Sequence, residues 1–403
     1  MSILNILEAK LDETKKQGRF RDYLHLERSA QDKPWAIQHG PAGERRLNVW
    51  CSNDYLAMSH HPVVIDATIE AVKRVGLGTC GARSISGTSI YHAELESALA
   101  QAYGKESALL FSTGFGANDA ALSTLSDAIP GLIVYSDELN HASMIYGIRY
   151  SKAEKKIFRH NDVAHLRSLL EQDDPQRPKL IAFESLYSMD GDFSPLQDII
   201  ELAEEFGALS YLDEIHSAGI YGEQGLGYAE QLGLLDRIDI IQGGFGKSYG
   251  SAGGYIAAPR VVTEAIRSWA PAFVFSTSSP APVVAASLAS FNYNLRHDTQ
   301  RKHLLDIISH LKDGLRRLGI PLASEDSHIL PVLVGDPHKN KLLSQYLLKE
   351  FHIYVQPVNA PTVPAGTERL RVTPTSAHSH DDVETFLAAL DQAWQAHALR
   401  RAG

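Results

Sequence analysis

The sequence predicts an α/β fold: a largely parallel sheet sandwiched by helices, followed by a smaller C-terminal lobe. Three observations predict it. Between Asn53 and about Ala281, apolar runs with strand character alternate with helical patterns, the order that builds a parallel sheet. Pro280 and Pro282 then open a helical stretch, and a further amphipathic helix stops at Gly319. Short apolar runs and one closing helix occupy the remainder.

Taken in chain order, Leu4, Leu7 and Leu11 share one helical face, so 3–16 reads as an amphipathic arm ending at Gly18. The strands of the large sheet are expected at 108–111, 132–135, 180–183, 209–212 and 238–241. Leu304, Ile308, Leu311, Leu315 and Leu318 mark the amphipathic helix before Gly319. Strands are expected at 328–334, 353–355 and 370–372, and a helix at 381–398 that buries Phe386, Leu387, Leu390 and Trp394. The expected organisation is an N-terminal arm and helical segment (1–52), a large domain (53–285) and a small domain (286–403).

With 403 residues, 44% of them hydrophobic, the chain can bury a large core. A formal charge of -10 and the lack of a long basic block argue against a nucleic-acid partner. Cys51 and Cys80 are too few for a disulfide framework and too far apart for a metal or redox pair, which fits a reducing cytoplasm. Charged residues break the N-terminal arm, so neither a signal peptide nor a membrane span is expected. No metal site is expected either.

Two glycine-rich stretches invite misreading. Gly76, Gly78 and Gly81 match the spacing of a dinucleotide fingerprint, but they follow a predicted helix rather than a strand. Gly246-Lys247-Ser248 ends like a phosphate-binding loop, yet Ile241 stands where its first glycine belongs.

The chemistry points to two strand ends. Asp213 closes one predicted strand and Lys247 lies in a glycine-rich turn after the next. In open α/β sheets ligands gather beyond the carboxyl ends of the strands, so both can project into one crevice. A lysine to hold an aldehyde and a carboxylate to keep a pyridine nitrogen protonated are what pyridoxal 5'-phosphate (PLP) requires. His216, three residues after Asp213, is either a hydrogen-bond donor to that cofactor or a satisfied core histidine. Phe111-Ser112-Thr113-Gly114-Phe115 turns from strand to helix, where free backbone amides suit a phosphate; it is also how any strand passes into a helix.

Local sequences then extend the reading nearly end to end. Gly18-Arg19-Phe20-Arg21, Cys51-Ser52-Asn53-Asp54-Tyr55-Leu56, Leu139-Asn140-His141-Ala142-Ser143, Tyr187-Ser188-Met189-Asp190-Gly191-Asp192, Leu212-Asp213-Glu214-Ile215-His216, Phe275-Ser276-Thr277-Ser278 and Thr367-Glu368-Arg369-Leu370-Arg371 resemble the α-oxoamine synthases. These are fold-type-I PLP-dependent transferases, like aspartate aminotransferase in fold. The resemblance implies a mostly parallel seven-stranded sheet, a smaller α+β C-terminal domain and a homodimer with shared active sites. It also implies decarboxylative condensation of a small amino acid with an acyl-CoA, and is strongest to the branch that joins glycine to succinyl-CoA to give 5-aminolevulinate.

By the same resemblance, Lys247 binds the cofactor's aldehyde, Asp213 pairs with its ring nitrogen and His141 stacks on the ring. Ser188 and His216 contact its phenolic oxygen. Gly114 and Phe115 bind its phosphate through backbone amides, and Ser276 and Thr277 reach that phosphate from the neighbouring subunit. Arg371, assisted by Asn53, grips the amino acid's carboxylate, a task suited to a planar guanidinium. Arg21, Ile85, Ser136, Lys155 and Thr362 match positions that contact the acyl-CoA.

Three departures from the pattern bear on specificity. Ala82 and Ser84 stand where the glycine-specific enzymes carry threonine and asparagine, leaving room for an altered amino acid or acyl group. Gly244 replaces a threonine that usually binds phosphate, removing one side-chain hydrogen bond. Retained Arg21 and Thr362 favour succinyl-CoA. A silent PLP-fold binding subunit is the alternative of another class, disfavoured by retention of Lys247, Asp213 and Arg371.

Overall fold

The structure, a computed structural model, describes residues 2–17, 20, 23–41 and 43–402. The chain divides into two compact units, one of 54–188 and 192–301, the other of 1–53, 189–191 and 302–403.

The larger unit is built on a seven-stranded sheet. In spatial order the strands are Ser107–Phe111, Gly254–Ala258, Ile240–Gly244, Leu209–Asp213, Lys179–Glu184, Ile133–Asp137 and Glu154–Phe158. All pair in parallel except Gly254–Ala258, which runs antiparallel to both neighbours. Alternate side chains of a strand point to opposite faces, and here both faces are apolar. Ile133, Tyr135, Ile181, Phe183 and Leu212 join one core with Leu95, Leu99, Leu166, Ile199 and Phe291 from helices. Val134, Leu180, Ala182 and Tyr211 join the other with Ala117, Leu122, Met144 and Ile266. Each aliphatic side chain so buried stabilises the fold by about 1.5–3 kcal/mol.

Five of the seven strands lie where the sequence predicts them. Glu154–Phe158 escapes the pattern because it is an edge strand with Glu154 and Lys155 exposed. Gly254–Ala258 escapes because Gly-Tyr-Ile-Ala-Ala is short and follows a glycine-rich turn.

The smaller unit holds two sheets and the amphipathic helices. His25–Glu27, Trp35–Gly40 and Gly43–Val49 form an antiparallel meander, extended by Ile353–Tyr354 in parallel. Residues 25–27, 35–40 and 43–49 are therefore strands rather than part of a helical segment. Leu330–Leu333, Arg369–Val372 and Gln356–Val358 form a second, antiparallel sheet. Its apolar core gathers Leu311, Leu315, Val332, Leu370, Phe386, Leu390 and Trp394. The arm helix Ile3–Lys16 is capped by Ser2 and buries no residue. No helix among the described residues is long and apolar enough to cross a membrane, and none of their His, Cys, Asp and Glu side chains group to hold a metal ion.

Candidate active site

Within the larger unit, the candidate site is assembled from the carboxyl ends of neighbouring parallel strands. Asp213 is the last residue of Leu209–Asp213 and is 2% exposed. Its carboxylate accepts hydrogen bonds from Asn118 Nδ2 at 2.7 Å and from the Ile215 N–H at 2.8 Å. Burial pushes its pKa up; the two hydrogen bonds and the charges of His141 and Lys247 oppose that shift. A cation held against this carboxylate would stabilise its charged form.

Lys247 follows the strand Ile240–Gly244, in a turn closed by the Gly250 N–H donating to its carbonyl at 2.9 Å. It is close enough to depress the His141 imidazole electrostatically, although burial is the larger cause. His141 caps the helix Ala142–Arg149, accepting from the Ser143 N–H at 3.2 Å. Its own N–H donates to Glu184 Oε1 at 2.5 Å. Glu184 lies directly across from Asp213 in the sheet, and burial, then the charge of Asp213, raise its carboxyl well above the usual range. His216 is buried, with Nδ1 at 2.9 Å from the Tyr55 hydroxyl.

The phosphate end has the expected turn. Thr113 caps the helix Gly114–Ala128, its hydroxyl accepting from the Gly116 N–H at 2.9 Å. A helix of this length presents unbonded N–H groups and a partial positive charge at its first turn. A Cβ on Gly114 would fall 2.6 Å from Ile215 Cδ1, so any larger residue there would require the Ile215 side chain to shift. Gly244 is equally constrained, because its Cβ would meet the same Ile215 methyl at 2.8 Å. Ile215 therefore stands where a Cβ at position 244 would go. Ser112, Thr113, Gly116, Ser276, Thr277 and Arg83 line a cavity of about 140 Å³ beside this turn. The side-chain hydroxyl of Ser112 donates to the Thr277 carbonyl at 3.3 Å, and Ala82 pairs with Thr277 in an isolated bridge, all within one chain.

This donor set fits PLP: a buried carboxylate, an amine and an imidazole that feel one another's charge, and a glycine-lined helix N-terminus.

The other expected residues lie as follows. Ser136 is 2% exposed inside its strand, its hydroxyl taken up by Asn140 Nδ2 at 2.9 Å. Lys155 is exposed on the edge strand. Ser84 and Ile85 are exposed in an irregular turn, Arg83–Gly87. Phe115 is 45% exposed, its ring edge-on to His141 at 6.3 Å. Ser188 follows the buried Tyr187. In the smaller unit, Arg371 Nη1 donates to Asn53 Oδ1 at 3.0 Å, while Arg369 is committed to Asp190 at 2.9 Å. Thr362 is exposed, and Arg21 lies outside the described residues.

Sequence reasoning missed Asn118. Its amide donates to Asp213 and to Ser143 Oγ at 3.0 Å, and its Oδ1 accepts the Tyr211 hydroxyl at 2.7 Å. The available signal was an asparagine one turn past Gly114, on a buried helix face otherwise made mostly of alanine and leucine.

The profile of the family described as Aminotransferase class I and II matches residues 46–390. The chain belongs to this family. Among curated members, it is 51% identical over 399 residues to "5-aminolevulinate synthase 1" of Cereibacter sphaeroides, covering 98% of both chains. It is 50% identical over 402 residues to "5-aminolevulinate synthase" of Paracoccus denitrificans, covering 98% of this chain and 97% of that one. Among solved members, Sphingomonas wittichii serine palmitoyltransferase superposes with a TM-score of 0.91 at 32% identity, over 99% of each chain. An SPT solved with PLP gives 0.92 at 32% identity, over 99% of this chain and 100% of that one.

Proposed function

We propose that this protein is a PLP-dependent acyltransferase that condenses glycine with succinyl-CoA and releases CoA and carbon dioxide, forming 5-aminolevulinate. The observation that carries the reading is Asp213 at the end of one strand and Lys247 in the turn after the neighbouring strand, near enough for the lysine's charge to act on the carboxylate, within a chain about half identical to enzymes of that name.

PLP, when bound, supplies an aldehyde that captures an amine and a ring that takes up the electron pair released at the neighbouring carbon. Lys247 would hold the aldehyde through Nζ, and its amine would serve as the base for the Cα proton. Asp213 would keep a proton on the ring nitrogen; Asn118 and the Ile215 N–H favour its ionised form against the cost of burial. The low-pKa imidazole of His141 would lie against the ring as a neutral group, which burial favours. Ser188 and His216 would bond the phenolic oxygen, and the Gly114 and Phe115 amides the phosphate. Ser276 and Thr277 would reach the phosphate of the neighbouring subunit. Arg371, steadied by Asn53, would bind the amino acid's carboxylate bidentately. Arg21, Ala82, Ser84, Ile85, Ser136, Lys155 and Thr362 would shape acyl and amino-acid choice, and a homodimer in the cytoplasm is the setting we infer.

The test crosses glycine, alanine and serine with succinyl-, acetyl- and longer acyl-CoAs and identifies products by mass. Turnover confined to glycine with succinyl-CoA supports the proposal. Preferential turnover of alanine or serine would redirect it to an enzyme of altered specificity.

A further inference from the structure

His160 belongs to none of the groups assigned above, yet it joins two loops that carry them. It follows the strand Glu154–Phe158, and its side chain is 18% exposed. Nδ1 lies 2.9 Å from Asp137 Oδ1 and Nε2 lies 2.9 Å from Asp192 Oδ2. A neutral imidazole has a single N–H, so one of these contacts would set lone pair against lone pair. The imidazolium donates to both carboxylates at once; Asn161 Nδ2, 3.2 Å from Nε2 and 3.0 Å from the same Asp192 oxygen, is the other polar neighbour of that ring nitrogen.

The two carboxylates are themselves fixed. Asp137 ends the strand Ile133–Asp137 with its side chain fully buried, and it accepts from the N–H groups of Leu139 at 2.8 Å and Asn161 at 3.0 Å. It thereby shapes the turn that delivers His141. Asp192 accepts from Asn161 Nδ2 at 3.0 Å, and its carbonyl accepts from the Tyr187 N–H at 3.1 Å, which closes the loop that contains Ser188. The Tyr187 ring stands edge-on to the imidazole, with centroids 4.4 Å apart. Glu138 meets the backbone of His160, accepting its N–H at 2.8 Å. Burial opposes the charged ring, but the hydrogen bonds to Asp137 and then Asp192 outweigh it and push its pKa up to about 10.

We propose that His160 is a positioning residue: an imidazolium clasped between Asp137 and Asp192 that fixes the loops presenting His141 and Ser188 to the cofactor. The inference rests on the PLP reading. A half-buried cation with two anionic partners holds geometry that neutral side chains would not, because charge-assisted hydrogen bonds are about twice as strong as neutral ones.

The experiment titrates apo-protein with PLP and follows the visible absorption band, dissociation constant and melting temperature of the wild type, His160→Gln and Asp192→Asn. H160Q should weaken PLP binding about ten-fold, the magnitude of one lost charge-assisted hydrogen bond, and shift the absorption maximum. D192N keeps one leg of the clasp and should weaken binding by less, roughly three-fold. Should H160Q fail to fold, D192N carries the test. A lower melting temperature with PLP affinity and spectrum unchanged in the folded variants would overturn the proposal, leaving His160 a purely structural residue. Failure of the wild type itself to bind PLP would overturn the cofactor reading, and this inference with it.

Discussion

Removing Asn118 should weaken the site through Asp213 while leaving every group proposed to meet the cofactor in the chain. In Asn118→Ala, Asp213 loses the 2.7 Å bond from Nδ2 and Tyr211 loses its acceptor, in surroundings where Asp213 is 2% and Tyr211 0% exposed. A hydrogen bond to a charged group contributes about 1.5–3 kcal/mol. Spent on keeping Asp213 ionised, that converts to a roughly 10- to 150-fold loss of PLP affinity at about 1.4 kcal/mol per decade. The Asn118 bond lowers the Asp213 pKa, so its loss raises it further. The affinity loss should therefore deepen as pH falls, since protonation of Asp213 removes the charge that a pyridinium needs. The orphaned Tyr211 hydroxyl should also lower apo-protein stability by about 1–3 kcal/mol. Equilibrium titration with PLP between pH 6 and 8, beside thermal melts of the apo-protein, measures both effects. An affinity within two-fold of wild type at every pH would refute the reasoning.

Three further outcomes follow from the same geometry. Arg371→Lys should raise KM for the amino acid more than it lowers kcat, because an ammonium cannot replace a bidentate fork; steady-state kinetics at saturating acyl-CoA decides this. Gly244→Thr should weaken PLP binding and lower the melting temperature, since its Cβ would sit 2.8 Å from Ile215 Cδ1, and Ile215→Ala in the same chain should recover most of the loss. The His160 pKa is raised in the fold from 6.5 to about 10, so its stabilisation is complete below pH 6.5 and is lost as pH rises through 10. Denaturant melts should show wild type and H160Q converging across that window, whereas a constant difference would contradict it.

Much of the fold could be read from the sequence because a parallel sheet buried on both faces writes itself as apolar runs at regular spacing. Leu180 to Phe183 is such a run, and its residues alternate between the two cores. Strands that depart from that burial were missed: Glu154–Phe158 carries charges at an edge, and the Gly43–Val49 strand begins with Gly-Glu-Arg-Arg. Within the site, Asp213 and Lys247 were legible because a strand end followed by a turn is a local signal. Asn118, Glu184 and His160 were not, because what makes each of them matter is a partner distant in sequence: Asp213 for Asn118, the His141 N–H for Glu184, and Asp137 with Asp192 for His160. An expected contact such as Ser136 was legible as a motif position, yet its burial could be learned only from the packing of Asn140 against it.

The most direct test of the central claim is where the cofactor attaches. Protein loaded with PLP, reduced with borohydride, digested and sequenced by mass should carry the phosphopyridoxyl group on Lys247. Recovery of that group on another lysine, or none at all from protein saturated with PLP, would contradict the account.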